Sequence, residues 1–214
     1  VPSSWKKTPR AGVFFFAFFC YNLFMKLSIA IMMHLKRKEY LPYLESKLGK
    51  CPVAMDEGCG LLQNCHNAWA MYDPTADYHV VIQDDCIVCD NFYNLATAYL
   101  EKANGLAVSF FYSQSKFYQK FERERKDTGA ITKKALYGGL AICLPTKLIP
   151  EMLIAFDKDT VPFDDHRIGR FLMSKKINIY NPFPCLIDHR QGHKSLFTGM
   201  TSRAKSAEYI DEKK

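Results

Sequence analysis

The sequence predicts an α/β fold: a mostly parallel central sheet with helices on both faces, in a single domain. Three observations carry that prediction. From Lys26 to Tyr112, short apolar runs alternate with stretches of helical periodicity, the pattern left by helices that cross between parallel strands. The run "YHVVIQ" (78–83) is apolar at consecutive positions, as a strand covered on both faces requires. A chain of 214 residues with 48% hydrophobic content is large enough to close one full core.

The elements follow in order. "LSIAIMM" (27–33) reads as a strand and "KEYLPYLESKLG" (38–49) as a helix ended by Gly49. "CPVAMDE" (51–57) is the second strand, and "GLLQNCHNAWAMYD" (60–73) is a helix stopped by Asp73-Pro74. "YHVVIQ" is the third strand. "DNFYNLATAYLEKANG" (90–105) is a helix capped by Asp90 and closed by Asn104-Gly105, and "LAVSFFY" (106–112) is a fourth strand. This half is a Rossmann-like unit. The second half is less regular. "SQSKFYQKFERERKDTGAITKKA" (113–135) is a polar, basic connection and "LYGGLAICLP" (136–145) a glycine-led strand. "TKLIPEMLIAFD" (146–157) and "DDHRIGRFLMSKK" (164–176) are helices, and "INIYNPFPCLIDH" (177–189) holds short strands broken by prolines.

The ends differ from the middle. Residues 1–24 join a basic stretch to the apolar "AGVFFFAFFCYNLF", without a small-x-small cleavage site before Met25. The apolar part is short for a bilayer span. Met25 is therefore read as the natural start of the domain (25–200) and residues 1–24 as an extension outside it, with a weak membrane anchor as the alternative. Residues 201–214 read as a polar tail. The net charge of +7 suits an anionic ligand or a polyanionic partner without requiring either. The eight cysteines, Cys20, Cys51, Cys59, Cys65, Cys86, Cys89, Cys143 and Cys185, sit in or beside apolar runs, which fits reduced thiols in a cytoplasmic protein better than a secreted disulfide framework. Cys86 and Cys89 form a CxxC pair with no second half, so they read as small core residues and not as a zinc site.

The third strand ends on Asp84-Asp85. Ligands of open α/β sheets bind beyond the carboxyl ends of the strands, so the pair falls where chemistry is expected. Adjacent carboxylates at such a place serve as acid and base, as metal ligands, or as a structural pair. Their mutual repulsion is relieved most simply by a divalent cation, and hard oxygen ligands suit Mg2+ or Mn2+. A metal of that kind commonly holds a diphosphate.

"YHVVIQDDCIVCDNF", preceded by "NAWAMYDPTADYH" and followed by "GGLAICLP", "FDDHRIGRFLM" and "PFPCLIDHRQGHKSL", resembles the metal-dependent glycosyltransferases of the GT-A fold. The likeness is to a bacterial and phage-type group related to the lipooligosaccharide and collagen galactosyltransferase family, and it covers about residues 25 to 205. It implies a single GT-A domain that takes a nucleotide-sugar donor, a UDP-sugar first, with Mn2+ or Mg2+ as cofactor. In the resemblance Asp85 matches the metal-contacting carboxylate, Asp84 the one facing the donor ribose or a metal-bound water, and His189 a late metal ligand. Gln83 stands where the wider family is often acidic. Lys194 and Ser195 match positions near the diphosphate, and His34, Arg37 and Asp56 border the base and ribose. Lys36 and Arg37 read equally as solvated charges at a helix start. Gly138 and Gly139 match a site beside sugar and acceptor, and as a pair also suit a turn or bulge. Asp165 matches the general base of inverting members, with Asp164 as the alternative; acids at a helix start also serve the macrodipole. The helix "LLQNCHNAW" lacks the tryptophan and arginine pattern frequent in the related sequences.

The acceptor is either a hydroxylated base in DNA or a glycan. Lys116, Lys120 and Arg123 interleave with Phe117 and Tyr118, as a phosphate-and-base surface would; an amphipathic flap over the site explains the same residues. The competing class is a non-catalytic module that binds nucleic acid or a membrane surface. No stable membrane span is expected, and a phage-encoded protein would act in the host cytoplasm.

Overall fold

The computed structural model describes residues 25–113, 121–136, 138–192 and 205–210. Residues 1–24, and with them the extension expected there, lie outside the described residues.

Strand β1 (Leu27–His34) leads through a 3-10 segment (Leu35–Tyr40) into α1 (Leu41–Leu48), and β2 (Val53–Asp56) into α2 (Leu61–Ala70). Strand β3 (Tyr78–Gln83) is followed at once by β4 (Cys86–Val88), then by α3 (Phe92–Ala103) and β5 (Ala107–Ser109). The connection expected to be irregular contains α4 (Glu122–Thr128) and β6 (Ala130–Lys133). Strand β7 (Ala141–Pro145), α5 (Ile149–Lys158), α6 (Asp164–Ser174), β8 (Ile179–Pro182) and β9 (Ile187–His189) complete the described chain.

The main sheet has the order β2-β1-β3-β7-β5-β8-β6. Strands β1, β2, β3, β5 and β8 run one way, while β7 and β6 run against them. The sheet is therefore mostly parallel in direction, as expected. A small antiparallel ribbon, β4-β9, pairs Cys86 with His189.

Two apolar layers follow from the alternation of side chains along buried strands. On one face Ile29, Ile31, Val80 and Ile82 pack under Leu44 of α1, Phe92, Ala96 and Leu100 of α3, and the ribbon. On the other Met32, Val81, Ile142 and Leu144 meet Trp69 of α2, Met152 and Phe156 of α5, and Ile168 and Phe171 of α6. Each fully buried large side chain contributes about 1.5–3 kcal/mol, so the frame that presents the strand ends is held from both sides. Cys86 and Cys89 are buried within the first layer.

Asp90 does not cap α3. Asn91 stands between it and the first turn in a left-handed conformation (φ 54°), with no side-chain cap, and the Asp90 carboxylate accepts instead from Lys47 of α1. The stretch expected as a polar tail is partly docked: Ala207 N donates to Tyr112 O at 2.7 Å, and Ile210 N to Cys185 O at 3.0 Å. Among the described residues no helix is long and apolar enough to cross a membrane.

Candidate functional site

The carboxyl ends of β1, β2 and β3 lie side by side, with His34 opposite Asp56 and Met32 opposite Gln83. Strand β3 gives way to a tight turn at Asp84-Asp85 before β4 begins. Because β4 pairs with β9, the turn is brought against His189.

Asp84 and Asp85 are both buried, 5% and 7% exposed. A positive group does sit between them. Nη1 of Arg37 donates to Asp84 Oδ1 at 2.7 Å and to Asp85 Oδ2 at 2.8 Å. The backbone N–H of His34 donates to Asp84 Oδ2 at 2.8 Å, and Nε2 of His189 lies 3.5 Å from Asp85 Oδ2. Burial pushes the Asp84 carboxyl above the usual carboxylate range despite these donors. For Asp85 burial is also the largest single effect, but the His189 ring and the Arg37 charge outweigh it and hold the carboxyl below its ordinary value. Arg37 is thus neither a solvated charge nor a bare helix-start residue: its side chain is 12% exposed. The sequence offered no signal for this, since "KRK" looks like any exposed turn.

Three buried side-chain atoms here have no hydrogen-bond partner, Asp85 Oδ1, His189 Nδ1 and Nε of the adjoining Arg190. Such atoms are rare in folded proteins and mark strain, a missing ligand or chemistry. Among the described residues no group of three or more His, Cys, Asp or Glu side chains is placed to hold a metal ion. A site of one or two carboxylates, completed by substrate phosphates, is the usual arrangement for Mg2+. Asp84 and Asp85, with Asp85 Oδ1 unpartnered, would supply the carboxylates of such a site.

A second group adjoins the first through Gln83. A Cβ built on Gly139 would stand 3.2 Å from Asp165 Cβ and 3.3 Å from Gln83 Nε2, so the glycine is what lets the β3 end and the start of α6 approach. Gln83 Nε2 donates to Asp164 Oδ2 at 3.5 Å. Asp164 points inward, toward Cys65; burial first, and the neighbouring Asp165 charge second, push its carboxyl up to about 6. Asp165 lies half-buried at the first turn of α6, where its Oδ1 accepts from His166 N at 2.9 Å. Gly138 has φ +88°, and a Cβ there would meet the Phe111 ring at 3.3 Å; both the turn and the close approach require glycine.

Beside the end of β1 lies the end of β2. Oδ1 of Asp56 accepts from Gly58 N at 2.9 Å and Gly60 N at 3.0 Å, which folds the loop into α2. His34 Nδ1 accepts from Lys36 N at 3.0 Å and so caps the 3-10 segment. Arg190, which sequence reasoning did not single out, donates its N–H to Asp85 O at 2.9 Å. Its guanidinium lies 4.5 Å from the Tyr40 ring centre and 5.0 Å from that of Tyr43. The order "DHR" was its one available signal.

Arg123 is placed apart from these groups. It lies on α4, 95% exposed, and pairs with Asp127 one turn on. The edge strand β6 that follows α4 is four strands from β3, about 19 Å across at the usual strand spacing. Lys116, Phe117, Tyr118, Lys120, Lys194 and Ser195 lie outside the described residues.

No family model matches the chain, and no curated protein matches it. Solved structures do. GalNAc-T7, crystallised with UDP, GalNAc and Mn2+, superposes with a TM-score of 0.51 at 13% identity, over 83% of this chain and 46% of that one. The fold is GT-A-like. A 4-diphosphocytidyl-2C-methyl-D-erythritol synthase from Anaerococcus prevotii DSM 20548 is also similar, with a TM-score of 0.43 at 11% identity over 74% of each chain. At 13% identity the likeness to GalNAc-T7 speaks for architecture, and one architecture hosts many activities. The chain spans about half the length of the GalNAc-T7 chain.

Proposed function

We propose that this chain is a metal-dependent glycosyltransferase. It moves a sugar from a nucleotide diphosphate donor, a UDP-sugar in the first instance, to an acceptor hydroxyl. The observation that carries the reading is the buried Asp84-Asp85 pair at the end of β3, with Asp85 Oδ1 and His189 Nδ1 both without partners. A GT-A-like fold and a structural neighbour crystallised with UDP and Mn2+ support it.

Asp85 and His189 would hold Mn2+ or Mg2+, with Asp84 beside them; when bound, the ion offsets the charge that builds on the departing diphosphate. His34 and Asp56 border the base and ribose. Gly138 and Gly139 border the sugar and the acceptor. The acceptor oxygen attacks the anomeric carbon, the bond from that carbon to the diphosphate oxygen breaks, and the nucleotide leaves with the electron pair. Asp165 takes the acceptor proton as general base, which gives inversion. Asp164, turned toward Cys65 and bonded to Gln83, orients Gln83 and does not face the acceptor. The acceptor is a hydroxylated DNA base or a glycan.

Turnover of a panel of nucleotide sugars with Mn2+, with Mg2+ and with a chelator tests the reading. Selective, chelator-sensitive turnover of one donor, abolished in Asp85→Ala, is the expected result. Absence of binding and turnover for every donor under every metal condition would overturn it in favour of a binding module.

A further inference from the structure

The carboxylate pair already has a cation. The geometry points to Arg37 as a placeholder: its guanidinium takes the divalent ion's position on Asp84 and Asp85 in the metal-free protein and leaves when the metal arrives with the donor diphosphate. The inference deepens the transferase reading and rests on it.

Three features support the exchange. One nitrogen of Arg37 contacts both carboxylates, at 2.7 and 2.8 Å, so a single positive centre bridges the two groups as a metal ion would. The contact neutralises the pair but leaves one carboxylate oxygen, Asp85 Oδ1, without a partner, so the carboxylates are not saturated by the guanidinium. The third feature is where Arg37 sits. The 3-10 segment Leu35–Tyr40 contributes no buried residue, and Arg37 breaks its helical geometry at φ −119°, ψ 17°. Leu35, Lys36, Lys38 and Glu39 are all exposed. The segment belongs to neither apolar layer, so a turn of this side chain away from the carboxylates would leave both layers in place.

Both partners gain from the exchange. Without a cation, two adjacent buried carboxylates would carry an uncompensated repulsion. With Arg37 and a divalent ion together on the pair, the like charges would repel each other. A metal entering alone must displace the guanidinium into water. A metal entering with a diphosphate offers the displaced guanidinium an anionic partner whose oxygens match its planar fork. Arg37 thus disfavours the free ion and favours the metal and diphosphate together, so the site loads as a complex.

The test is Mn2+ binding, read from the loss of the free-ion electron paramagnetic resonance signal, with and without UDP, in the full chain and in Arg37→Gln and Arg37→Lys. The wild type is expected to bind Mn2+ alone weakly and to gain about tenfold or more in affinity when UDP is present. Arg37→Gln should bind Mn2+ alone about tenfold more tightly than the wild type and lose most of the UDP-linked gain. Arg37→Lys, which keeps the charge if the Gln variant does not fold, should resemble the wild type toward Mn2+ alone and show a smaller UDP-linked gain. Mn2+ affinity that is unchanged or weaker in Arg37→Gln, with UDP-linked binding intact in the wild type, would overturn the placeholder and leave the transferase reading standing. No Mn2+ binding by any of the proteins, even with UDP, would overturn both.

Discussion

Gly139 and Asp165 touch across the gap between the end of the β3-β7 pair and the start of α6: a Cβ on residue 139 would lie 3.2 Å from Asp165 Cβ. The φ of Gly139 is not in the left-handed region, so space and not backbone freedom demands the glycine there.

Gly139→Ala should therefore disturb the site more than the fold. A contact of 3.2–3.3 Å forces Asp165 or Gln83 to give by a few tenths of an ångström, and small misplacements of reacting groups cost rate steeply. We expect turnover to fall about tenfold or more while the melting temperature drops by only a few degrees, measured by donor turnover and calorimetry on one preparation.

Asp165→Asn should lower kcat by about 100-fold or more, the usual contribution of a positioned general base, and leave UDP affinity nearly unchanged. Steady-state kinetics with titration of UDP separates the two effects. If Asp164→Asn, and not Asp165→Asn, produced that pattern, the base would be Asp164.

Asp164→Asn makes a further prediction about stability. Its carboxyl stands at about 6 in the folded protein against an ordinary 3.8, so the folded state holds the proton more tightly than the unfolded one. The favourable contribution is complete below 3.8 and is lost as pH rises through about 6. Above that point the ionised, half-buried group destabilises the wild type by on the order of 1–3 kcal/mol. The Asn variant should thus gain stability relative to the wild type between pH 4 and pH 7, as read by urea unfolding across that range.

What the sequence disclosed follows from how buried each element is. Strand β3 was read to its limits, Tyr78–Gln83, because a strand covered on both faces is apolar throughout and ends abruptly on charge. Strand β6 was not, since Ala130–Lys133 is an edge segment with two buried residues out of four, too few for a periodic signal. Asp84, Asp85 and His189 were legible as a set through the order of motifs, and the ribbon β4-β9 does join them. The bridge from Arg37 was not legible. One basic residue in an exposed turn carries no mark of the carboxylates it meets 47 positions later, and that contact exists only once β1 and β3 lie side by side. Asp90 shows the opposite error: a good capping residue at the right spacing was diverted by the left-handed Asn91 that follows it.

The most direct test of the central claim is a crystal structure of the protein grown with Mn2+ and UDP, with data collected at the manganese edge. An anomalous peak is expected within about 2.2 Å of an Asp85 carboxylate oxygen, beside His189, with the UDP diphosphate on its open side. UDP bound with no manganese at Asp85, or manganese bound elsewhere with Asp84 and Asp85 still bridged by Arg37, would contradict it.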